Sequence, residues 1–230
     1  MKEWIAFWNA PNAIYVNEHH RDVHYRTIAE DIREHVPSGS ARVLDYGCGE
    51  ALHARLIANA CASLTLSDAA PTVRSNLASR FVGEPKIDVK SPEDIAALPD
   101  GSFDLIVMNS VAQYLTRDDL AALMKTFRRL LAPGGRFVFS DVIPKNVSPI
   151  TDALAVLRFA AKHGFLIPAV FGLVRTVFSN YSTLRSRLGL SLYDESEAQK
   201  LLQDAGFSAS RHAKNIGHNP ARMTFVAQPT

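Results

Sequence analysis

Cysteine is nearly absent from this chain: Cys48 and Cys61 are the only two among 230 residues. Neither belongs to a CxxC pair, so neither a disulfide framework nor a structural zinc site organises the fold, and the expectation is that no metal is bound. Cys48 reads as a small residue fitted to a turn, with a reactive thiol as the other reading. No apolar run reaches the roughly 20 residues that a membrane-crossing helix needs. The stretch from Phe165 to Phe178 is too short and contains Pro168 and Arg175. The N-terminal region has no basic segment followed by a long apolar one. Trp4, Ile5, Phe7 and Trp8 form an aromatic cluster rather than a secretory signal, so a cytoplasmic location is expected. Charge of one sign is not in excess either. Lys and Arg number 25 against 23 Asp and Glu, a formal +2. That gives no general attraction to nucleic acid, and no basic tail or basic–aromatic interleaving supplies one. With 47% hydrophobic and 21% charged residues, the composition suits one globular core with appendages.

The most informative stretch is Arg42-Val43-Leu44-Asp45-Tyr46-Gly47-Cys48-Gly49-Glu50. It reads as a buried strand that ends in an acid and then a glycine turn, followed by a helix-like run from Ala51 to Ala60. Gly47 and Gly49 let the backbone approach a ligand, and a helix N-terminus offers free N–H groups. No Lys-Ser or Lys-Thr follows the glycines, so the turn is not a P-loop. Ala51 and Leu52 stand where a dinucleotide fingerprint needs glycine. Asp45 would repel a pyrophosphate but suits a cationic or amino-bearing ligand.

Ser63–Asp68 is a second strand that also ends in an acid. Asp68 follows Asp45 at about the spacing at which a second-strand carboxylate meets ribose hydroxyls. The other reading makes it a cap for the helix that starts near Ala70-Pro71. Lys86–Val89 is a third strand. After it, Asp94 could accept from an exocyclic amine and Ile95 could meet the ring. Alternatively, Glu93 and Asp94 occupy the first turn of a short helix. Phe103–Asn109 is a fourth strand, apolar enough for burial on both faces. It delivers Asn109, Ser110, Gln113 and Tyr114 to its carboxyl end. Arg117–Leu131 is an amphipathic helix, Pro133-Gly134-Gly135 a turn, and Arg136–Asp141 a fifth strand.

The stretches VLDYGCGE, LTLSD, EDIAALPDGSFDLIVMNSVAQYL and LLAPGGRFVFSD, in this order, resemble the class I S-adenosylmethionine-dependent methyltransferases, particularly their small-molecule branch. The resemblance covers roughly residues 41–142. AGFSASRHAKNIGHNPARMTFVAQ resembles the family's closing hairpin more loosely. The resemblance implies a doubly wound, mostly parallel, seven-stranded α/β sheet of Rossmann-like type. It implies S-adenosyl-L-methionine as cofactor and S-adenosyl-L-homocysteine as product. Asp45 would hold the methionine ammonium, Gly47 and Gly49 would pass along the cofactor, and Asp68 would take the ribose hydroxyls. Asp94 and Ile95 would frame the adenine. Asn109, Ser110 and Gln113 would line the methionine moiety and the transfer mouth. The chain departs from the family's fuller pattern at Ala51, where a third glycine is common.

The expected organisation is an N-terminal helical lid over residues 1–38, a cofactor-binding core over 39–146 and 191–230, and a helical insertion over 147–190. Tyr15 and Tyr114 are the lid and substrate candidates. The apolar run in the insertion has three readings: the roof of an apolar substrate pocket, a homodimer contact, or a touch on a membrane surface without stable insertion. Tyr181–Arg187, with Arg185 and Arg187, could present cations to an acidic group or be solvated. The closing strands, Phe207–Lys214 and Met223–Ala227, enclose a loop with His218. His218 is the first candidate base for a small, hydrophobic acceptor methylated by in-line displacement, and His19 the second. The competing readings are an S-adenosylmethionine-binding module without turnover and a different adenosyl-cofactor Rossmann enzyme.

Overall fold

The structure is a computed structural model that describes residues 2–10, 15–177, 187 and 189–230. A seven-stranded sheet runs through it in the order β3-β2-β1-β4-β5-β7-β6. The strands are β1 (Arg42–Tyr46), β2 (Ser63–Ser67), β3 (Ile87–Lys90), β4 (Phe103–Asn109), β5 (Leu131–Val142), β6 (Phe207–His212) and β7 (Met223–Pro229). The first five are parallel, and β7 runs antiparallel between β5 and β6. The sheet is therefore doubly wound and mixed, with the helices on both faces.

Alternation along the strands builds both faces. Val43, Leu64, Leu66, Leu105, Val107 and Val138 turn to one side. There they pack with Ile32 of α2 (Glu18–His35), Ile57 of α3 (Ala54–Ala58) and Leu77 of α4 (Pro71–Arg80). Leu44, Ile106, Met108, Phe137 and Phe139 turn to the other side. They meet Ile95 of α5 (Pro92–Ala96), Phe127 of α6 (Arg117–Leu130) and Leu202 of the last helix, α9 (Glu195–Asp204). Winding reverses between β1 and β4, and ligands of open α/β sheets bind at the carboxyl ends of strands at such a switch point.

Several elements differ from the sequence expectation. The helix after β1 is only Ala54–Ala58, because Ala51 takes φ 42 and holds the chain in a turn. An alanine in that left-handed region costs about 1 kcal/mol, which explains why glycine suits the position better. Strand β5 begins at Leu131 and carries Pro133-Gly134-Gly135 within it, with a register shift against Phe103 and Leu105. Strand β6 ends at His212.

The insertion folds as two helices, α7 (Pro149–His163) and α8 (Leu166–Val177), joined at Gly164 in the left-handed conformation. No helix among the described residues is long and apolar enough to cross a membrane. Phe159, Ala160, Phe165 and Ala169 pack with Val23 of α2. Helix α8 comes so close to the start of α2 that a Cβ at Gly172 would lie 2.0 Å from Val16. Positions 11–14, 178–186 (with Phe178, Tyr181 and Arg185) and 188 fall outside the described residues. Arg187 is described and pairs with Glu3 of α1 (Lys2–Asn9).

Candidate functional site

Asp45 ends β1 with only 6% of its surface exposed, and no described residue hydrogen-bonds or ion-pairs with its carboxylate. Burial, with the nearby charge of Asp68, pushes it up to about 7. A buried carboxylate without a partner is costly unless a cation or donor completes it. The turn after it is fixed by the N–H groups of Gly47 and Cys48, which donate to the Ser67 carbonyl at 2.7 and 3.1 Å. Gly47 has φ 77, and a Cβ there would lie 2.2 Å from Val111 Cγ2, so the backbone runs bare against the β4 end.

Asp68 follows β2 and serves local structure through both oxygens. Its Oδ2 accepts from Gly49 N–H at 3.1 Å and its Oδ1 from Ala70 N–H at 2.8 Å. Each oxygen keeps a further lone pair. Burial raises it, against those two donors and Arg74. Asp94 closes a capping box: its carboxylate accepts from Ser91 N–H at 3.2 Å and Ser91 Oγ–H at 2.8 Å. Those bonds hold it below the usual carboxylate range. Ile95, beside it, is buried in the core cluster.

Beyond β4, Asn109 and Gln113 are 8% and 7% exposed. Asn109 Oδ1 and Gln113 Oε1 are buried oxygens without hydrogen-bond partners. Ser110 has φ 60 and Asp141, past the matching point of β5, has φ 55. Two non-glycine residues in this region cost free energy, and such strain gathers at functional sites. The pair is locked by Ser110 Oγ–H donating to Asp141 Oδ2 at 2.7 Å. Asn215 Nδ2–H donates to Asp141 Oδ1 at 3.2 Å, and Asn215 Oδ1 accepts from Asp141 N–H at 3.2 Å. Burial raises the Asp141 carboxyl, opposed chiefly by Arg222.

Helices α1 and α2 lie across this edge. Trp4 stacks at a tilt on Tyr114 with centroids 4.6 Å apart, and Trp8 meets the same ring at 5.8 Å. Asn9 Oδ1 accepts from Thr72 N–H at 2.7 Å. It supplies the cap that Ala70 cannot give α4. Helix α2 is laced to the glycine turn: Tyr25 OH accepts from Glu50 N–H at 3.1 Å, and His53 Nε2 meets Asp22 Oδ1 at 2.8 Å. Tyr15 lies against Tyr25 with ring centroids 5.9 Å apart, and burial raises both hydroxyls. The space bounded by Tyr25, Asp45, Cys48 and Ala51 is small, a cavity of about 10 Å³.

The β6–β7 loop comes to the same edge, because β7 starts opposite the end of β5. His218 stacks on Phe159 of α7 at 4.8 Å and lies 5.9 Å from His24. Its Nδ1 is buried without a partner, and burial together with Arg222 pushes the imidazole down to about 4. Burial, with His218 nearby, pushes His20 down to about 4 and His24 to about 3. Arg222 pairs with Asp152 of α7 at 2.8 Å, and Asn219 donates to the same carboxylate at 2.9 Å, so the loop ties the insertion to the core. His19 stands apart: its Nε2–H donates to the His163 carbonyl at 2.8 Å on the exposed side of α2. Among the described residues no group of three or more His, Cys, Asp or Glu could hold a metal ion.

The sequence reading thus brought Asp45, Gly47, Asp68, Asn109, Ser110, Gln113, Tyr114, Tyr15 and His218 to one edge of the sheet. It missed Tyr25, Asp141 and Asn215. The acid at the end of β5, in SD after an apolar run, repeats the pattern of the acids ending β1 and β2 and could have flagged Asp141. Nothing local marks Tyr25 or Asn215. A surface groove of about 420 Å³ lies at the opposite edge around Arg42, Asp104 and Pro133–Gly135. There Arg42 and Asp104 satisfy each other at 2.9 Å. Ligands of open α/β sheets bind at the carboxyl ends instead.

Residues 44–139 match the sequence profile of a methyltransferase domain. The chain is 35% identical over 120 residues to the ubiquinone biosynthesis O-methyltransferase of Xanthomonas oryzae pv. oryzae (strain PXO99A), covering 51% of this chain and 48% of that protein. It is 35% identical over 124 residues to the protein of the same name from Xanthomonas axonopodis pv. citri (strain 306), covering 53% and 49%. The chain spans about half the length of the curated relatives it matches. Among solved structures, the DhpI–SAH complex superposes with a TM-score of 0.63 at 15% identity, over 99% of this chain and 96% of that one. A SAM-dependent methyltransferase from Leishmania major gives 0.62 at 14% identity, over 98% and 81%. At such identities the likeness is one of fold.

Proposed function

We propose that this chain, whose residues 44–139 match a methyltransferase domain, is a class I methyltransferase that moves a methyl group from S-adenosylmethionine to a small, hydrophobic acceptor by in-line displacement. One observation carries the cofactor assignment. The carboxyl ends of β1 and β4 carry the unpaired Asp45 carboxylate and the buried, partnerless oxygens of Asn109 and Gln113. Acceptors without donors suit an ammonium group, not a phosphate.

In this reading Asp45 holds the methionine ammonium, and Gly47 and Gly49 let the main chain run along it. The free lone pairs of Asp68 take the ribose hydroxyls. Ile95 and the α5 turn with Asp94 border the adenine. Bound cofactor supplies an electrophilic methyl on a sulfonium. Residues 1–38 act as a lid whose Trp4, Trp8, Tyr15 and Tyr114 exclude water, and 147–190 cap the acceptor side. Names of relatives that methylate oxygen support a hydroxyl acceptor. Its proton then needs a base. Asp141, raised by burial and aimed by Ser110 and Asn215, is better matched than His218, which burial makes a weak base. His218 lines the acceptor space as a neutral hydrogen-bond acceptor.

Incubation with methyl-labelled S-adenosylmethionine and a panel of phenols, alcohols and amines tests the assignment. Label is expected on a hydroxyl-bearing acceptor. Tight cofactor binding without transfer to any acceptor would favour the non-catalytic module.

Asp45 also sets a pH dependence. Its carboxyl is near 7 before the ligand arrives, and an ammonium stabilises the ionised form. Binding below that value must expel the proton. Calorimetry should show S-adenosylhomocysteine affinity level above pH 7 and falling by up to about tenfold per pH unit below it, with proton release. A flat affinity between pH 5 and 8 (about the window set by the shift) would remove Asp45 from the site.

A further inference from the structure

Seven large hydrophobic residues stand exposed among the described residues, and six belong to the α7–α8 hairpin: Ile150, Leu154, Leu166, Ile167, Val170 and Phe171. Ile167 and Phe171 are each 73% exposed. Their spacing puts them in one stripe per helix, Ile150 and Leu154 on α7, and Ile167, Val170 and Phe171 on α8. The inner stripes of the same helices are buried, with Phe159, Ala160 and Ala169 packed toward Val23 of α2, so the exposed stripes face away from the molecule. Solvated monomers rarely gather so much apolar surface in one place without a partner for it.

Charge selects the partner. From Pro149 to Tyr193 the sequence contains one acid, Asp152, which Arg222 pairs on the inner side, against five Lys and Arg: Arg158, Lys162, Arg175, Arg185 and Arg187, the last paired with Glu3. The whole chain is nearly neutral, and another acid-free stretch, 205–230, carries three Lys and Arg. Arg158 and Lys162 are exposed on α7, and neither makes an ion pair with a described residue. An apolar stripe flanked by unpaired cations and empty of acids is complementary to an anionic lipid surface. A second copy of the hairpin would instead set cation against cation across the contact.

We propose that the outer face of α7–α8 docks on an anionic lipid bilayer surface, with Ile167, Val170 and Phe171 dipping between the headgroups and Arg158 and Lys162 at phosphate level. The hairpin also carries Phe159 against His218 and Asp152 against Arg222 on its inner side. Docking therefore places the mouth of the site beside the lipid, where an acceptor dissolved in the bilayer could enter.

Co-sedimentation of the full chain with vesicles tests this. Vesicles of phosphatidylcholine mixed with phosphatidylglycerol should carry the protein down. Pure phosphatidylcholine should bind it at least about tenfold less, because each cation near the surface contributes roughly fivefold. I167E/F171E should lose at least about tenfold in binding, as two buried apolar side chains are removed. R158E/K162E should lose the preference for phosphatidylglycerol. V82E, at a comparably exposed residue outside the hairpin, should bind as the parent does. The proposal is overturned if the parent stays in solution at low salt, or if I167E/F171E still binds fully. It is also overturned if sedimentation equilibrium shows a dimer that I167E/F171E dissolves while vesicles bind neither protein. S-adenosylhomocysteine affinity, which rests on cofactor residues outside the hairpin, should be unchanged in I167E/F171E, so a failed docking test leaves the cofactor reading standing.

Discussion

Asp45→Asn is expected to weaken S-adenosylhomocysteine binding by about a hundredfold or more at pH 8, since it removes the charge from a buried, charge-assisted contact. The substitution is close to isosteric. In the free protein it replaces an unpaired buried carboxylate, raised to about 7, with a neutral amide. The variant should therefore unfold at a temperature no lower than the parent. That separates lost recognition from lost structure, which Asp45→Ala would confuse by leaving a hole beside the β1 turn. Titration calorimetry and a melting curve on the same samples check both halves. Affinity within about threefold of the parent would mean that the ammonium sits elsewhere.

The second large effect belongs to Asp141. Asp141→Asn should lower kcat about a hundredfold or more with a hydroxyl acceptor, because it removes the base while its amide oxygen still accepts from Ser110. Affinity for S-adenosylhomocysteine should stay within about threefold, since Asp141 serves the acceptor side. His218→Ala should cost less, as an imidazole at about 4 is a poor proton acceptor near neutrality. The pH profile of kcat at saturating cofactor discriminates further: the acidic limb expected of the parent should vanish in Asp141→Asn. Unchanged kcat would return the base to the β6–β7 loop or show that the acceptor needs none.

Much of this site could be read from residues because each piece was local. The acid–glycine turn after β1 and the acid after β2 stand at strand ends that hydrophobic alternation marks, so Asp45 and Asp68 follow from periodicity and spacing. Asp94 shows the opposite case. Both readings of it were visible, and the structure gives its carboxylate to Ser91 in a capping box, which uses the same residue type at the same spacing. The pairing of Ser110 with Asp141 depended on a strand register between positions 31 apart, which no local pattern encodes. Tyr25 sits on a helix whose apolar stripe identifies a packed face but not that one hydroxyl reaches the turn at Glu50. Strand β5 escaped at its start because Pro133-Gly134-Gly135 reads as a turn, while pairing with β4 holds it in the sheet.

A crystal structure of the chain with S-adenosylhomocysteine tests the central claim most directly. The amino group of the ligand should lie within hydrogen-bond distance of Asp45, with the ribose hydroxyls on Asp68 and the sulfur open toward Ser110 and Asp141. A ligand seated in the groove around Arg42 and Pro133–Gly135, or an Asp45 carboxylate paired to protein in the complex, would contradict it.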